Sequence, residues 1–226
     1  MKIKLTESQF QKLTSLVSEM AYPTTFDMSV FKSLNSFQSR IEYCASRLKR
    51  LGAGSSRIVY QIDGEKCLKL AKNQKGVAQN LAEIEFGTSY DSNYFDITPK
   101  IFDYSEGGEF VEMELCMPAD SALFKQKYGV PIEALFEMID EEMSNWQRIY
   151  YFQYYDFEDT VHKVWQGTYG DETMQFFNSV REFVASGPCH YGDLKRIQNW
   201  GINSHGEFRL IDFGGTKDVM SRYYRC

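Results

Sequence analysis

The stretch HYGDLKRIQNWGINSHGEFRLIDFGGT, from His190 to Thr216, concentrates the residue types that phosphate and metal chemistry uses. Asp193 follows a glycine and precedes Asn199, and Asp212 opens an Asp-Phe-Gly tripeptide after Phe208, Leu210 and Ile211. A carboxylate at the end of a short buried strand suits Mg²⁺, which takes few protein oxygens and completes its shell with phosphate and water. Asp193 is a candidate to accept a proton from, or orient, an attacking hydroxyl. Asn199 offers a neutral oxygen for a second metal contact. Each of these residues is also an ordinary turn or cap former, because Asp and Asn readily bond their own backbone.

Further upstream, Gly52 and Gly54 in LGAGSSRIVY let a hairpin backbone approach phosphate oxygens with no Cβ in the way. Glycine turns of this kind are common without any ligand, and no Gly-Lys-Ser/Thr follows, so this is not a Walker loop. Lys69 lies in the apolar run CLKLA between Leu68 and Leu70. Pointing outward from a half-buried sheet, it would meet only solvent. Pointing inward, it needs a carboxylate, since an unpaired buried ammonium is costly. Glu83 in QNLAEIEF is the first candidate partner and Glu85 the second.

Those residues need elements to hold them. Thr6 to Met20 reads as a capped amphipathic helix, suited to packing on the rest of the chain or to a partner. The spacing of Phe31, Leu34, Phe37, Ile41, Cys44 and Leu48 predicts a second helix from about Met28 to Arg50. From Leu51 the pattern becomes that of strands, with Asp63-Gly64 as a hairpin signal and KCLKLA as the returning strand. Val77 to Phe86 reads as helix, and strands are expected at Lys100 to Tyr104 and Phe110 to Leu115 around Glu106-Gly107-Gly108. A short extended link from Glu114 to Pro118 then leads to helices at Ile132 to Trp146 and Thr173 to Val184. Only short strands remain, near Trp200 and at Phe208 to Ile211. A strand-rich part followed by a helical part predicts two lobes, and a cleft between lobes is a natural small-molecule site.

Composition narrows the function classes. With 226 residues there is material for one domain or two small lobes. A net charge of -6 argues against nucleic acid as a partner, which requires a positive surface. No apolar run reaches the roughly 20 residues that span a membrane, and MKIKLTESQF lacks the apolar core of a signal peptide. The five cysteines are scattered without a Cys-x-x-Cys pair, which predicts free thiols rather than a zinc site or a disulfide framework.

A glycine-rich hairpin, a strand lysine, a helix glutamate, Gly-Asp-Leu followed by Asn, and Asp-Phe-Gly occur in an order that resembles the protein-kinase superfamily, from Leu51 to Thr216. The runs LKRLGAGSSRIVYQID and CLKLAKNQKGVAQNLAEIE are similar to those of small kinase-like proteins of tailed bacteriophages. The resemblance implies an α+β, minimal bilobal kinase-like fold. Residues 1–50 would form an N-terminal helical extension, 51–116 an antiparallel-sheet N-lobe, and 117–226 a truncated helical C-lobe. It implies ATP and Mg²⁺ as cofactors: Gly52 and Gly54 cover phosphates, Lys69 contacts them in a pair with Glu83, and Glu114 to Cys116 receives adenine. Asp193 would be the catalytic base, and Asp212, with Asn199, would hold metal. The phosphate acceptor would be the protein itself, a specific phage or host protein, or a small molecule. Its setting would be the cytoplasm of an infected bacterial host or the virion. A pseudokinase, or a structural phage protein on the same scaffold, is the alternative implied.

The chain departs from the family pattern at named positions. Arg57 stands where the third glycine of the phosphate loop belongs, which predicts a loop tip that closes differently. His-Arg-Asp has become His190-Tyr191-Gly192-Asp193, and Gln198, not Asn199, occupies the expected spacing. Twelve residues follow Gly214, so the expectation is that the peptide-docking half of a kinase is absent.

Overall fold

The structure, a computed structural model, describes residues 22–88, 97–137, 139–140, 170–186 and 191–224. The fold is α+β and divides into two compact units, Met1–Glu85 with Lys100–Leu115, and Phe86–Pro99 with Cys116–Cys226. The helix expected at Thr6 to Met20 lies outside the described residues.

The first unit is built on an antiparallel sheet of β1 (Lys49–Ala53), β2 (Arg57–Gln61), β3 (Lys66–Ala71), β4 (Ile101–Tyr104) and β5 (Phe110–Glu114), in the order β1-β2-β3-β5-β4. Its register is set at the β2–β3 turn, where Asp63 Oδ1 accepts from the amides of Glu65 and Lys66 at 2.7 and 2.8 Å. That turn places Val59 opposite Lys69, and β5 places Val111 on the other side. Alternation along the central strand β3 then sends Leu68 and Leu70 to one face and Cys67 and Lys69 to the other.

Both faces are covered. Leu68 and Leu70 enter a core with Phe26, Phe31, Cys44 and Phe110. Phe31 and Cys44 come from α1 (Met28–Ser33) and α2 (Phe37–Ala45). On the opposite face Cys67, Val111 and Met113 pack with Ile84 of α3 (Gln74–Gly87).

The single helix expected from Met28 to Arg50 is instead two helices and the start of a strand. Leu34 and Ser36 are extended, and Ser36 caps α2 through a reciprocal pair with Ser39. Asp27 caps α1 by accepting from the amides of Ser29 and Val30. Serine side chains compete for backbone hydrogen bonds and so favour helix ends over interiors, which outweighs the continuous apolar spacing. Lys49 and Arg50 pair with β2 and open the sheet before Leu51.

The second unit carries a small antiparallel sheet of β6 (Met117–Pro118), β7 (Trp200–Ile202) and β8 (Phe208–Leu210). The extended segment after β5 thus contributes a paired strand. Around this sheet lie α4 (Ser121–Tyr128), α5 (Asp171–Ser186), α6 (Tyr191–Leu194) and α7 (Lys217–Tyr223). Asp120 caps α4, and Gly129 ends it at φ 78°, a left-handed conformation that glycine adopts without strain. Of the helix expected at Ile132 to Trp146, residues 132–137 and 139–140 are helical, and the rest lies outside the described residues. The core gathers Phe124, Phe136, Phe177, Phe183, Trp200 and Phe208, all essentially inaccessible.

Candidate functional site

Within the first unit, Lys69 points inward. It is 5% exposed, and its Nζ donates to Glu83 Oε2 at 2.8 Å. Glu83 is 0% exposed, whereas Glu85 is exposed, so the partner is the first of the two candidates. A second cation meets the same carboxylate: Arg57 Nη1 lies 2.7 Å from Glu83 Oε1. That contact is a close ion pair without a well-aligned N–H···O bond. Burial pushes the Glu83 pKa upward, but the charges of Arg57 and then Lys69, with the Lys69 hydrogen bond, pull it below the ordinary carboxylate value. Arg57, which stands at the third-glycine position, thus has a partner inside the unit. It turns onto α3, where Asn80 and Glu83 share a face at helical spacing.

The glycine hairpin lies at the start of the same sheet. Gly52 sits beside a register shift in β1, and the amide of Gly54 donates to the Arg57 carbonyl at 2.9 Å. Neither has positive φ, and a Cβ built at either would meet nothing within 4 Å. Internal packing therefore does not require glycine at these positions. The adjoining turn is held down by residues that follow β3. Lys72 Nζ donates to the Gly54 carbonyl at 3.0 Å, Asn73 Nδ2 to the Ser55 carbonyl at 3.2 Å, and Lys75 Nζ to Ser55 Oγ at 3.1 Å. Gly76 does have a packing reason, because a Cβ there would stand 2.2 Å from the Ser56 carbonyl oxygen.

The expected adenine-binding segment joins β5 to β6. The Glu114 carbonyl accepts from the Cys67 thiol at 3.7 Å, and burial pushes that thiol up to about 12. Cys116 is half-buried, and Gly201 of β7 comes so close that a Cβ there would lie 2.8 Å from Cys116 Cβ.

In the second unit, hydrogen bonds link Asp193, Asn199 and Ile211, the residue before Asp212. Asn199 Nδ2 donates to the Asp193 carbonyl at 2.8 Å, and the Ile211 amide donates to the Asn199 carbonyl at 2.7 Å. Asp212 follows directly and is exposed, while Phe213 beside it is buried. Gln198, at the family's spacing, is exposed, so Asn199 is the residue tied to Asp193. The Asp193 carboxylate lies 3.6 Å from Arg196 Nη1, and a Cβ at Gly215 would be 3.1 Å from its Oδ2. The loop after Asp-Phe-Gly thus runs against the proposed base.

Asp140, which no sequence pattern marks, braces this loop on both sides of Asp193. Its Oδ1 accepts from the Tyr191 hydroxyl at 2.7 Å, and its Oδ2 meets Lys195 Nζ. Burial opposes ionisation of Asp140, but its bonds to Lys195 and Tyr191 hold its pKa below the ordinary range. Only proximity in the fold identifies it, because it is more than fifty residues from its partners.

Among the described residues, no group of three or more His, Cys, Asp or Glu side chains could hold a metal unaided. Asp212 with Asn199 suits an ion that draws most of its oxygens from ligand and water, as Mg²⁺ does.

No protein-family model and no curated protein matches the chain. Among solved structures, the chain is similar to a choline/ethanolamine kinase family protein from Mesorhizobium loti, at 16% identity and a TM-score of 0.30. The likeness covers 73% of this chain and 57% of that one, so the chain spans little more than half of that structure. At that identity and score it assigns neither activity nor substrate.

Proposed function

We propose that the chain is a kinase-like ATP-binding protein that carries out Mg²⁺-dependent phosphoryl transfer to itself, a docked protein partner or a small molecule. The observation that carries this reading is Lys69. A lysine buried in the central strand is a fixed cation on a fully buried glutamate that Arg57 also neutralises. Gly52 and Gly54, unexplained by packing, supply backbone that a phosphate can approach. Lys69 would offset phosphate charge, and the backbone of Glu114 to Cys116 would take the base.

Mg²⁺, when bound, would neutralise charge on the phosphates and orient them. Asp212 would hold it through its carboxylate, and Asn199 through Oδ1, the amide atom not committed to Asp193. Asp193 would accept the acceptor hydroxyl's proton as the new O–P bond forms and the terminal phosphoanhydride breaks. Its carboxylate lies 3.6 Å from Arg196, and the Asp140 brace would steady the loop on either side of it.

Thermal melts with ATP and ADP, with and without Mg²⁺, test the binding half. Nucleotide should raise the melting temperature by linkage, as RT ln(1 + [L]/Kd), and Asp212→Asn should remove most of the metal-dependent part. No shift even at millimolar nucleotide would sink the reading. Turnover of labelled ATP tests the transfer half: Asp193→Asn should abolish it while leaving nucleotide affinity nearly intact. Binding without turnover in the wild type would leave the nucleotide site and remove the transferase.

A further inference from the structure

Resting on that nucleotide reading, we infer that Arg57 is a positioning residue that releases Lys69: by holding Glu83 itself, it lets Lys69 engage a ligand's phosphates without stranding a buried carboxylate. The two cations use different oxygens of Glu83, Arg57 on Oε1 at 2.7 Å and Lys69 on Oε2 at 2.8 Å. Neither contact excludes the other.

The consequence follows from the burial of the carboxylate. Glu83 is 0% exposed, so removing its only counter-charge would leave an uncompensated buried charge, the most expensive outcome for such a pair. A lysine that alone neutralised Glu83 would face that penalty whenever it turned towards a phosphate, and the penalty would subtract from affinity. With Arg57 present, Glu83 keeps a cation throughout. Arg57 is itself fixed for this role. It is 8% exposed, its Nη1 also lies 3.4 Å from Asn80 Oδ1, and Asn80 Nδ2 donates to the Gly108 carbonyl at 2.9 Å. The depressed pKa of Glu83, to which the Arg57 charge contributes ahead of that of Lys69, agrees with this geometry.

Two measurements on the full chain test the inference. In urea unfolding of wild type, Arg57→Met, Lys69→Met and the double variant, the double shift in midpoint should exceed the sum of the single shifts. Only the double variant leaves Glu83 without either cation. Additive shifts would overturn the role of Arg57. In calorimetric titrations, Arg57→Met should weaken ADP binding by about tenfold or more, the scale of one charge-assisted contact, with adenosine affinity unchanged. Arg57→Lys should restore ADP binding. Unchanged ADP affinity in Arg57→Met would overturn the inference. So would a parallel loss of ADP and adenosine, which is what general loosening of the unit would produce. A wild type that binds no ADP overturns the nucleotide reading and the release step with it. Additive unfolding shifts, by contrast, strike at Arg57 alone.

Discussion

One buried carboxylate between two cations makes Glu83 the residue on which the first unit depends most. Replacing it with Gln keeps the shape but leaves Arg57 and Lys69 facing each other with their shared counter-charge gone. Glu83→Gln should therefore cost about 3–5 kcal/mol in urea unfolding, the range for breaking a buried ion pair from one side. A cost below about 1 kcal/mol, typical of an exposed pair, would mean that the carboxylate is hydrated in solution. Asp140 calls for a different expectation. Its side chain is 46% exposed, so the brace adds little to stability. It fixes Tyr191 and Lys195 on either side of Asp193, however, and phosphoryl transfer depends on positioning. Asp140→Asn should lower kcat by about tenfold or more with nucleotide Kd unchanged, read from labelled-ATP turnover beside calorimetry. Equal kcat in the two proteins would reduce Asp140 to a surface contact. Of these residues, Lys69 and Glu83 were legible in the sequence because an inward ammonium needs a carboxylate one element away. Arg57 stands out in the sequence only as a departure from the glycine pattern, and its contact with Glu83 is unforeseen there; the hairpin register makes it a neighbour of the Lys69 face, two residues from Val59.

At the scale of elements, the glycine hairpin and α3 form one mechanical piece, and the glycines divide accordingly. Gly76→Ala would put a methyl group 2.2 Å from the Ser56 carbonyl, a backbone atom that cannot rotate away. The helix must shift from the hairpin, so a loss of about 1–3 kcal/mol is expected, as for other overpacked contacts. Gly54→Ala meets nothing within 4 Å and should change stability by no more than about 0.5 kcal/mol. It should nevertheless weaken ATP binding, because the methyl occupies the approach that glycine leaves open. If Gly54→Ala left ATP affinity untouched, the hairpin would not be the phosphate contact. Most elements could be read from period and turn chemistry: Asp63-Gly64 closes the β2–β3 hairpin, and α5 buries Phe177, Val180 and Phe183 at helical spacing. The failure at Leu34 to Ser36 has a local cause, since apolar spacing continues through it while Leu34 turns extended and the Ser36–Ser39 capping box starts a new helix. Pairing between distant segments, as of Met117-Pro118 with β7, leaves no trace in local pattern.

Across the whole molecule, the buried titratable groups set the pH range in which the fold is stable. Glu83 has a folded pKa below its ordinary value of 4.5. Its stabilisation is complete above that value and is lost as the pH falls, because the unfolded chain then takes up a proton that the folded chain refuses. Asp140 and Glu207, depressed by their own hydrogen bonds and cation partners, act in the same direction. The alkaline side has the opposite sign. Burial pushes Cys44 and Cys67 from 9.0 up to about 12, so the folded state keeps protons that the unfolded state releases. Their contribution is complete below pH 9.0 and declines as the pH rises towards about 12. Tyr22, Tyr60, Tyr128 and Tyr191, also raised by burial, follow from their ordinary value of 10.0 upward. The urea midpoint should therefore be flat between roughly pH 5 and 9 and fall on both sides. In Cys44→Ala/Cys67→Ala, where the plateau is lower because two core side chains are trimmed, the alkaline decline should begin near the tyrosine value of 10.0 rather than at 9.0. An unchanged onset in that variant would show that these thiols are hydrated or ionised in the fold, and that the cores around β3 and α2 are looser than their packing indicates.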